Sequence, residues 1–324
     1  MAIQIDGVSL GITDAGPLDK LARKFNQIEE QTYALPREGL QALQLVPVKG
    51  GIDKGVLSYT YQHISELGIA ELVADGATDL PPVSRAVSYD TVLIKTVGDS
   101  FGFNRQEIDA YLYAGGNLEA DDANTARRKI DEAADRLLLV GDSDSKVPGL
   151  LTSDMVGTVA ISTGSAGGTA WSTKTLAEIV ADVQSCLDAI FESTKGANGG
   201  ATVTPDTILL PRAAYVHLTT TYKSDDSDVT LLEALKAVFA PQGLVDWVLT
   251  NSANGIGEAD TDGNATDRAL VYKRAEENVF GVLPLPFEIL QPQYRGLNTV
   301  FNCRARCGGA VWRRPTTAVY MDGV

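Results

Sequence analysis

Gly168-Thr-Ala-Trp-Ser-Thr-Lys-Thr175 comes nearest to a reactive motif in this chain. A glycine, then a lysine and a hydroxyl residue, is how loops that wrap phosphate in backbone N–H groups are built. The glycine that normally precedes the lysine is here Thr173, which keeps the backbone from closing on an anion. Thr175 has another explanation, because with Glu178 it makes the capping box of a following helix. Asp260-Thr-Asp-Gly-Asn264 is spaced like the start of a calcium loop. It lacks glycine at the sixth loop position and has Val271 where the twelfth should be glutamate, so it reads as a solvated hairpin tip.

Cys303 and Cys307 lie four apart on a predicted strand, far in sequence from the two histidines, His63 and His217. That set falls short of a zinc site, and the cysteines read as small apolar fillers. Neither histidine sits in a nucleophile motif, which leaves little for acid–base or triad chemistry. Arg295, Arg304, Arg306, Arg313 and Arg314 form a basic patch with no acid between them. Five cations do not offset a formal net charge of −15, so the patch reads as interface ion pairs rather than a DNA site. No catalytic, cofactor or metal site is expected, and the chain does not read as an enzyme.

The 324 residues suffice for a sizeable core, and 44% hydrophobic with 21% charged residues is ordinary for a globular protein. No apolar run is long enough to span a membrane, and MAIQIDGVSLG lacks the pattern of a signal peptide. Three cysteines exclude a disulfide scaffold and fit a reducing compartment.

Along the chain, residues 1–48 read as an arm: Pro17 opens a helix whose apolar stripe is Leu18, Leu21, Phe25 and Ile28, Pro36 ends it, and LQALQLVPV follows in extended form. So short a segment cannot bury its own stripe. Residues 49–86, punctuated by five glycines and Pro81-Pro82, read as a long two-stranded hairpin. Tyr59, Tyr61, Ile64, Leu67, Ile69 and Leu72 make it too apolar for a free linker, so it needs a partner surface. Residues 87–97 are strand-like. Residues 117–140 predict a long helix, with Asn117 as N-cap, Gly141 as terminator and an inner face rich in alanine. Arg127 with Asp131, Arg128 with Glu132, and Glu132 with Arg136 are (i, i+4) pairs on its outer faces. From 156 to 290, strands 156–162, 207–210, 245–249 and 269–272 alternate with helices 175–195 and 231–239, which indicates one α/β domain. The last 27 residues return to strand, with Phe301, Cys303, Ala305 and Cys307 on one face and Asn302, Arg304 and Arg306 on the other.

This order of parts resembles the major capsid proteins of tailed bacteriophages with the Hong Kong 97-type fold. The matching stretches are ARRKIDEAADRLLLVGDSDSKVPGLLTS (126–153), TILLPRAAYVHL (207–218), PLPFEILQPQYRGL (284–297) and CRARCGGAVWRRPTTAVYMDGV (303–324). The resemblance implies an α+β capsid fold with an N-arm (1–48), an extended loop (49–86), a peripheral domain with a spine helix (87–150 and 291–324, helix 117–140) and an α/β axial domain (151–290). It implies a structural protein of the virion, assembled in host cytoplasm, whose copies form hexamers and pentamers of an icosahedral head around double-stranded DNA. A portal, a decoration protein and, since no long helical segment precedes Met1, a separate scaffolding protein are the expected partners. Lys54, Tyr59, Tyr61, Arg127, Arg128, Asp131, Glu132, Arg304 and Arg306 are the expected inter-subunit contacts. Some relatives cross-link a loop lysine to a neighbour's asparagine, but nothing marks Lys49 or Lys54 as activated. The alternative within the same fold is an encapsulin-type bacterial nanocompartment, which packages protein instead.

Overall fold

The computed structural model describes residues 4–5, 8–9, 39–67, 84–114, 118–195, 202–224, 227–258 and 265–324. The expectations for Pro17 to Pro36, for the loop tip with Ile69 and Leu72, for Asn117 and for Asp260 to Asn264 lie outside the described residues. Two units divide the chain at Gly39. In the first, β1 (Gln4–Ile5) pairs antiparallel with β2 (Val8–Ser9).

The second unit opens with α1 (Ala42–Leu45), a single helical turn where an extended piece was expected. Ala42, Leu45 and Val46 are buried, and the Ala42 N–H donates to Asp135 (2.7 Å) while Tyr272 Oη donates to the Leu45 carbonyl (2.8 Å). Ala42, Leu45 and Val46 therefore belong to the core of the second unit, within the span 1–48 expected to be an arm. Next, β3 (Ser58–Leu67) and β4 (Ser84–Leu93) form an antiparallel hairpin, Ser58 opposite Leu93 and Leu67 opposite Ser84. The expected single strand 87–97 is thus split: its first part completes the hairpin, beyond the boundary at 86, and the rest enters β5 (Lys95–Asn104). Buried Ile94 marks the break and donates its N–H to Leu57 (2.9 Å).

Helices α2 (Arg105–Ala114) and α3 (Leu118–Leu139) follow. Ala126, Ile130, Ala134, Leu138 and Leu139 of α3 are buried, the spacing read from the sequence. Beyond it, Val147 to Thr152 folds back over the helix end. Leu150 and Leu151 donate N–H groups to the carbonyls of Leu138 and Leu139 (2.9 Å each), and Thr152 Oγ1 donates to the Val140 carbonyl (2.5 Å). These carbonyls have no partner within the helix itself, so the second half of the Gly-Asp…Gly-Leu-Leu pattern caps the first. Gly141 makes the reversal at φ +73°, and a Cβ there would meet the Val147 carbonyl oxygen at 2.5 Å.

The α/β part contains β6 (Gly157–Ala160), α4 (Leu176–Thr194), β7 (Thr207–Leu210), α5 (Arg212–Thr220), α6 (Leu231–Phe239), β8 (Asp246–Leu249) and β9 (Arg268–Tyr272). After these come β10 (Val279–Gly281), β11 (Leu285–Ile289), β12 (Gln293–Arg295), β13 (Asn298–Cys307), β14 (Ala310–Trp312) and β15 (Ala318–Asp322). One five-stranded mixed sheet runs β6-β15-β9-β7-β8. Its three central strands, β15, β9 and β7, are buried on both faces: Ile208, Val271, Val319 and Met321 meet the face of α4 to α6, while Leu209, Leu270, Tyr272 and Tyr320 meet α1 and the end of α3. Burial on both sides explains the unbroken apolar runs TILL, ALVY and AVYM. A second sheet places β13 between β5 on one edge and β11 and β12 on the other.

Two expected boundaries fail here. Residues 318–322 lie inside the α/β sheet, parallel to β6 and antiparallel to β9, although 291–324 was assigned to the other domain. Residues 285–289 pair with β13 and leave the α/β sheet, although that domain was taken to 290. Strand pairing this distant in sequence satisfies backbone groups that periodicity alone cannot assign.

Gly141→Ala is expected to destabilise the unassembled chain by about 1–3 kcal/mol, because it forces a Cβ into the left-handed region against a carbonyl. Denaturant unfolding checks this.

Candidate assembly site

The base of the β3–β4 hairpin is fixed by aromatic packing. Tyr59 and Tyr61 both set their edges against Phe280, with centroids 5.8 and 6.1 Å apart, and the Arg313 guanidinium lies over the same ring at 5.0 Å. Tyr61, Val92, Ile94, Phe280, Val282 and Val311 form a small separate core. Burial is the main reason the Tyr61 hydroxyl is pushed up to about 12. Further out the hairpin loses this support: Ser84 to Ser88 of β4 and Tyr89 are exposed. An open cleft of about 690 Å³ flanks the base, with Tyr61, Asp90, Arg136, Lys146, Met155 and Trp312 among its walls.

On the second sheet, alternation sorts the side chains of β13. Cys303 and Ala305 pack under Ala126 and Ile130 of α3, so small residues on both sides let helix and sheet approach closely. Arg304 and Arg306 take the opposite face. Arg304 makes two hydrogen bonds to Glu288 Oε2, from Nε (2.8 Å) and Nη2 (2.7 Å), and Lys54 Nζ reaches the other oxygen at 3.4 Å. The Arg304 contact leads in holding the Glu288 carboxyl below its usual range. Arg306 is only 8% exposed, and its Nη1 donates to the Lys54 carbonyl.

Of the expected (i, i+4) pairs along α3, Arg127 reaches Asp131 at 3.7 Å and Arg128 reaches Glu132 at 3.3 Å. Lys129 also reaches Glu132 at 2.9 Å, and Arg127 lies 5.8 Å over the Phe287 ring. Such exposed pairs contribute about 0–1 kcal/mol each. Of the expected contacts, the structure therefore joins Lys54, Arg304 and Arg306 into one cluster and Tyr59 with Tyr61 into another. The four helix residues pair among themselves.

The phosphate-loop candidate is closed to an anion. Lys174 is buried and donates to Asp182 Oδ2 at 2.5 Å, with side chains 0% and 2% exposed. Trp171 Nε1 (3.2 Å to Oδ2) and Ser162 Oγ (3.1 Å to Oδ1) complete the carboxylate's shell. Thr175 serves the cap: its N–H donates to Glu178 Oε2 at 2.8 Å and its hydroxyl at 3.0 Å. The N–H of Thr175, ahead of that of Ser165, holds the Glu178 carboxyl at about 2. Asp182 escaped the sequence reading although it sits on the apolar stripe of Ile179, Val183 and Cys186, where a charge must have a partner. Burial pushes Cys186 up to about 12 and Cys307 up to about 11, which leaves them neutral packing groups.

A spine helix laid on one sheet, an α/β sheet sharing its core and a projecting hairpin define a shell-building subunit, the Hong Kong 97-type capsid fold. The capsid of Myoviridae phage XM1 is similar over 94% of this chain and 98% of that one, with 16% identity and a TM-score of 0.74. The capsid of the native GTA particle is similar over 96% and 99%, with 13% identity and a TM-score of 0.66. A virus-like particle from Pyrococcus furiosus is more distant, over 86% and 91%, with 14% identity and a TM-score of 0.51. No curated protein sequence matches the chain. Residues 68–324 match the model of the major capsid protein family, and the chain belongs to that family. It is therefore a capsid component.

Lys174→Met is expected to destabilise the unassembled chain by about 3–5 kcal/mol, since it strands the Asp182 carboxylate, and Asp182→Leu added to it restores most of the loss. Denaturant unfolding of both variants checks this. Because Glu178 lies well below its usual 4.5, its contribution is complete above that value and is lost as pH falls through about 2. The melting-temperature gap between wild type and Glu178→Gln is therefore expected to hold above pH ~5 and to close towards pH ~2.

Proposed function

We propose that this chain self-assembles into the hexamers and pentamers of an icosahedral tailed-phage head enclosing double-stranded DNA, formed in host cytoplasm with a separate scaffolding protein and a portal. Decoration proteins are further partners under this reading. The observation that carries it is the hairpin. Its ten-residue strands pair only with each other among the described residues, and an isolated two-stranded hairpin is marginal in water. A neighbouring subunit supplies the missing surface. The division into arm, extended loop, peripheral and axial regions belongs to the same proposal, with the loop taken to Leu93 and the last strand assigned to the axial sheet. The net charge of −15 supports a shell that holds DNA without gripping it, with most of its acidic residues on the inner wall. An assembled shell with its acids mainly outside would sink that part.

The test shortens the hairpin while leaving its base intact. Residues 63–88 are replaced by Asn-Gly, which joins Gln62 to its register partner Tyr89 through a two-residue turn. The variant is expected to keep the wild-type melting temperature and to yield no stable shells in negative-stain electron microscopy. Normal shells from the shortened chain would overturn the proposal. Wild-type images also separate the nanocompartment alternative: a head with one portal vertex supports the phage reading, and small portal-free shells filled with protein refute it.

A further inference from the structure

Among the described residues, the face of the second sheet turned away from α3 gathers three cations around one carboxylate. Lys54, Arg304 and Arg306 converge there, and Glu288 is the carboxylate shared by Lys54 and Arg304. No ion pair reaches Arg306 among the described residues, and its Nε is buried without a hydrogen-bond partner. A buried guanidinium bonded to one carbonyl and to no carboxylate costs folding free energy, so the isolated subunit gains little from it. Beside it, β5 offers an open shelf. Directly opposite Arg306, Arg304, Asn302 and Val300 stand Thr96, Gly98, Ser100 and Gly102, all exposed, with no large side chain to fill the space.

We propose that this shelf is an interface between copies of the chain, at which a carboxylate of a second copy completes the Lys54–Arg304–Arg306 cluster. Charge complementarity selects that occupant. The chain carries 42 acids against 27 lysines and arginines, so an acidic neighbouring surface is plentiful where a basic one is rare. A carboxylate also matches the guanidinium fork in size and geometry. A DNA backbone fits poorly, because the chain as a whole carries a net charge of −15. The inference rests on the shell-forming function proposed above.

The test uses full-length chain and reads assembly and subunit stability separately. Arg306→Met is expected to leave the melting temperature of unassembled subunits unchanged or raised, and to lower the fraction recovered as shells at least about tenfold. Thr96→Asp, at an exposed position facing Arg306 across the ladder, supplies a carboxylate from within the subunit at a Cβ separation of about 5 Å. It is expected to stabilise the subunit and, by competing with the neighbour, to lower shell recovery as well. If Arg306→Met fails to fold, the Thr96→Asp result decides. Wild-type shell recovery from both variants would overturn the inference and leave the function standing, whereas absence of shells from wild type sinks both. Normal recovery of Arg306→Met shells that have lost nuclease-protected DNA would assign the cluster to phosphate and overturn the proposal.

Discussion

Every element around β13 depends on its two-faced alternation. One face carries Cys303 and Ala305, small enough for Ala126 and Ile130 of the spine helix to lie close, and that contact fixes the helix on the sheet. The other face carries Arg304 and Arg306, long cations that only a polar or charged surface can cover. Along its edges the same strand binds β5 over its whole length and receives β11 and β12 end to end. β13 thus ties together segments about 200 residues apart. Contacts of such sequence separation are costly in loop entropy.

The second requirement is the fold-back at the end of α3. Leu150 and Leu151 satisfy the last helical carbonyls and at once enter the core shared with Leu270, Tyr272 and Tyr320. Helix termination and domain joining are therefore one structural event. The Leu150 carbonyl accepts from Tyr320 Oη (2.7 Å), and the Leu151 carbonyl accepts from Arg268 Nη1 (2.8 Å). Arg268 in turn is held by Asp322 at 2.6 and 2.7 Å and lies 4.4 Å over the Tyr320 ring. The C-terminal strand is thereby locked to the spine through β15.

What the sequence revealed follows from the range of the interactions involved. Helices 176–194 and 118–139 were legible because amphipathic period, capping box and terminal glycine are local signals. The hairpin was legible as a segment unable to bury itself. The destination of β15 was not, because AVYMD is apolar on both faces and fits the middle of any buried sheet. The short turn Ala42–Leu45 was also hidden, since its position depends on Asp135 and Tyr272, far along the chain. In the candidate site, the opposite faces of β13 were readable from strand period. The burial of Arg306 was not, because the Lys54 segment that covers it lies about 250 residues away.

The same contrast separates charges that hold the subunit from charges left for its neighbours. Where a buried charge serves the fold, an opposite charge meets it directly: Lys174, Trp171 and Ser162 bond both oxygens of Asp182, and Asp322 meets Arg268 with two oxygens. Low dielectric makes such pairs acceptable only when every donor and acceptor is matched. The helix pairs of Arg127, Arg128, Asp131 and Glu132 are exposed and individually weak, so exchanging a partner within the helix for one on another subunit changes little energy. Arg306 fits neither pattern: it is buried like the first group and, among the described residues, meets no carboxylate. Under the interface proposed above, a carboxylate of a second copy offsets that burial cost, which one copy alone leaves uncompensated.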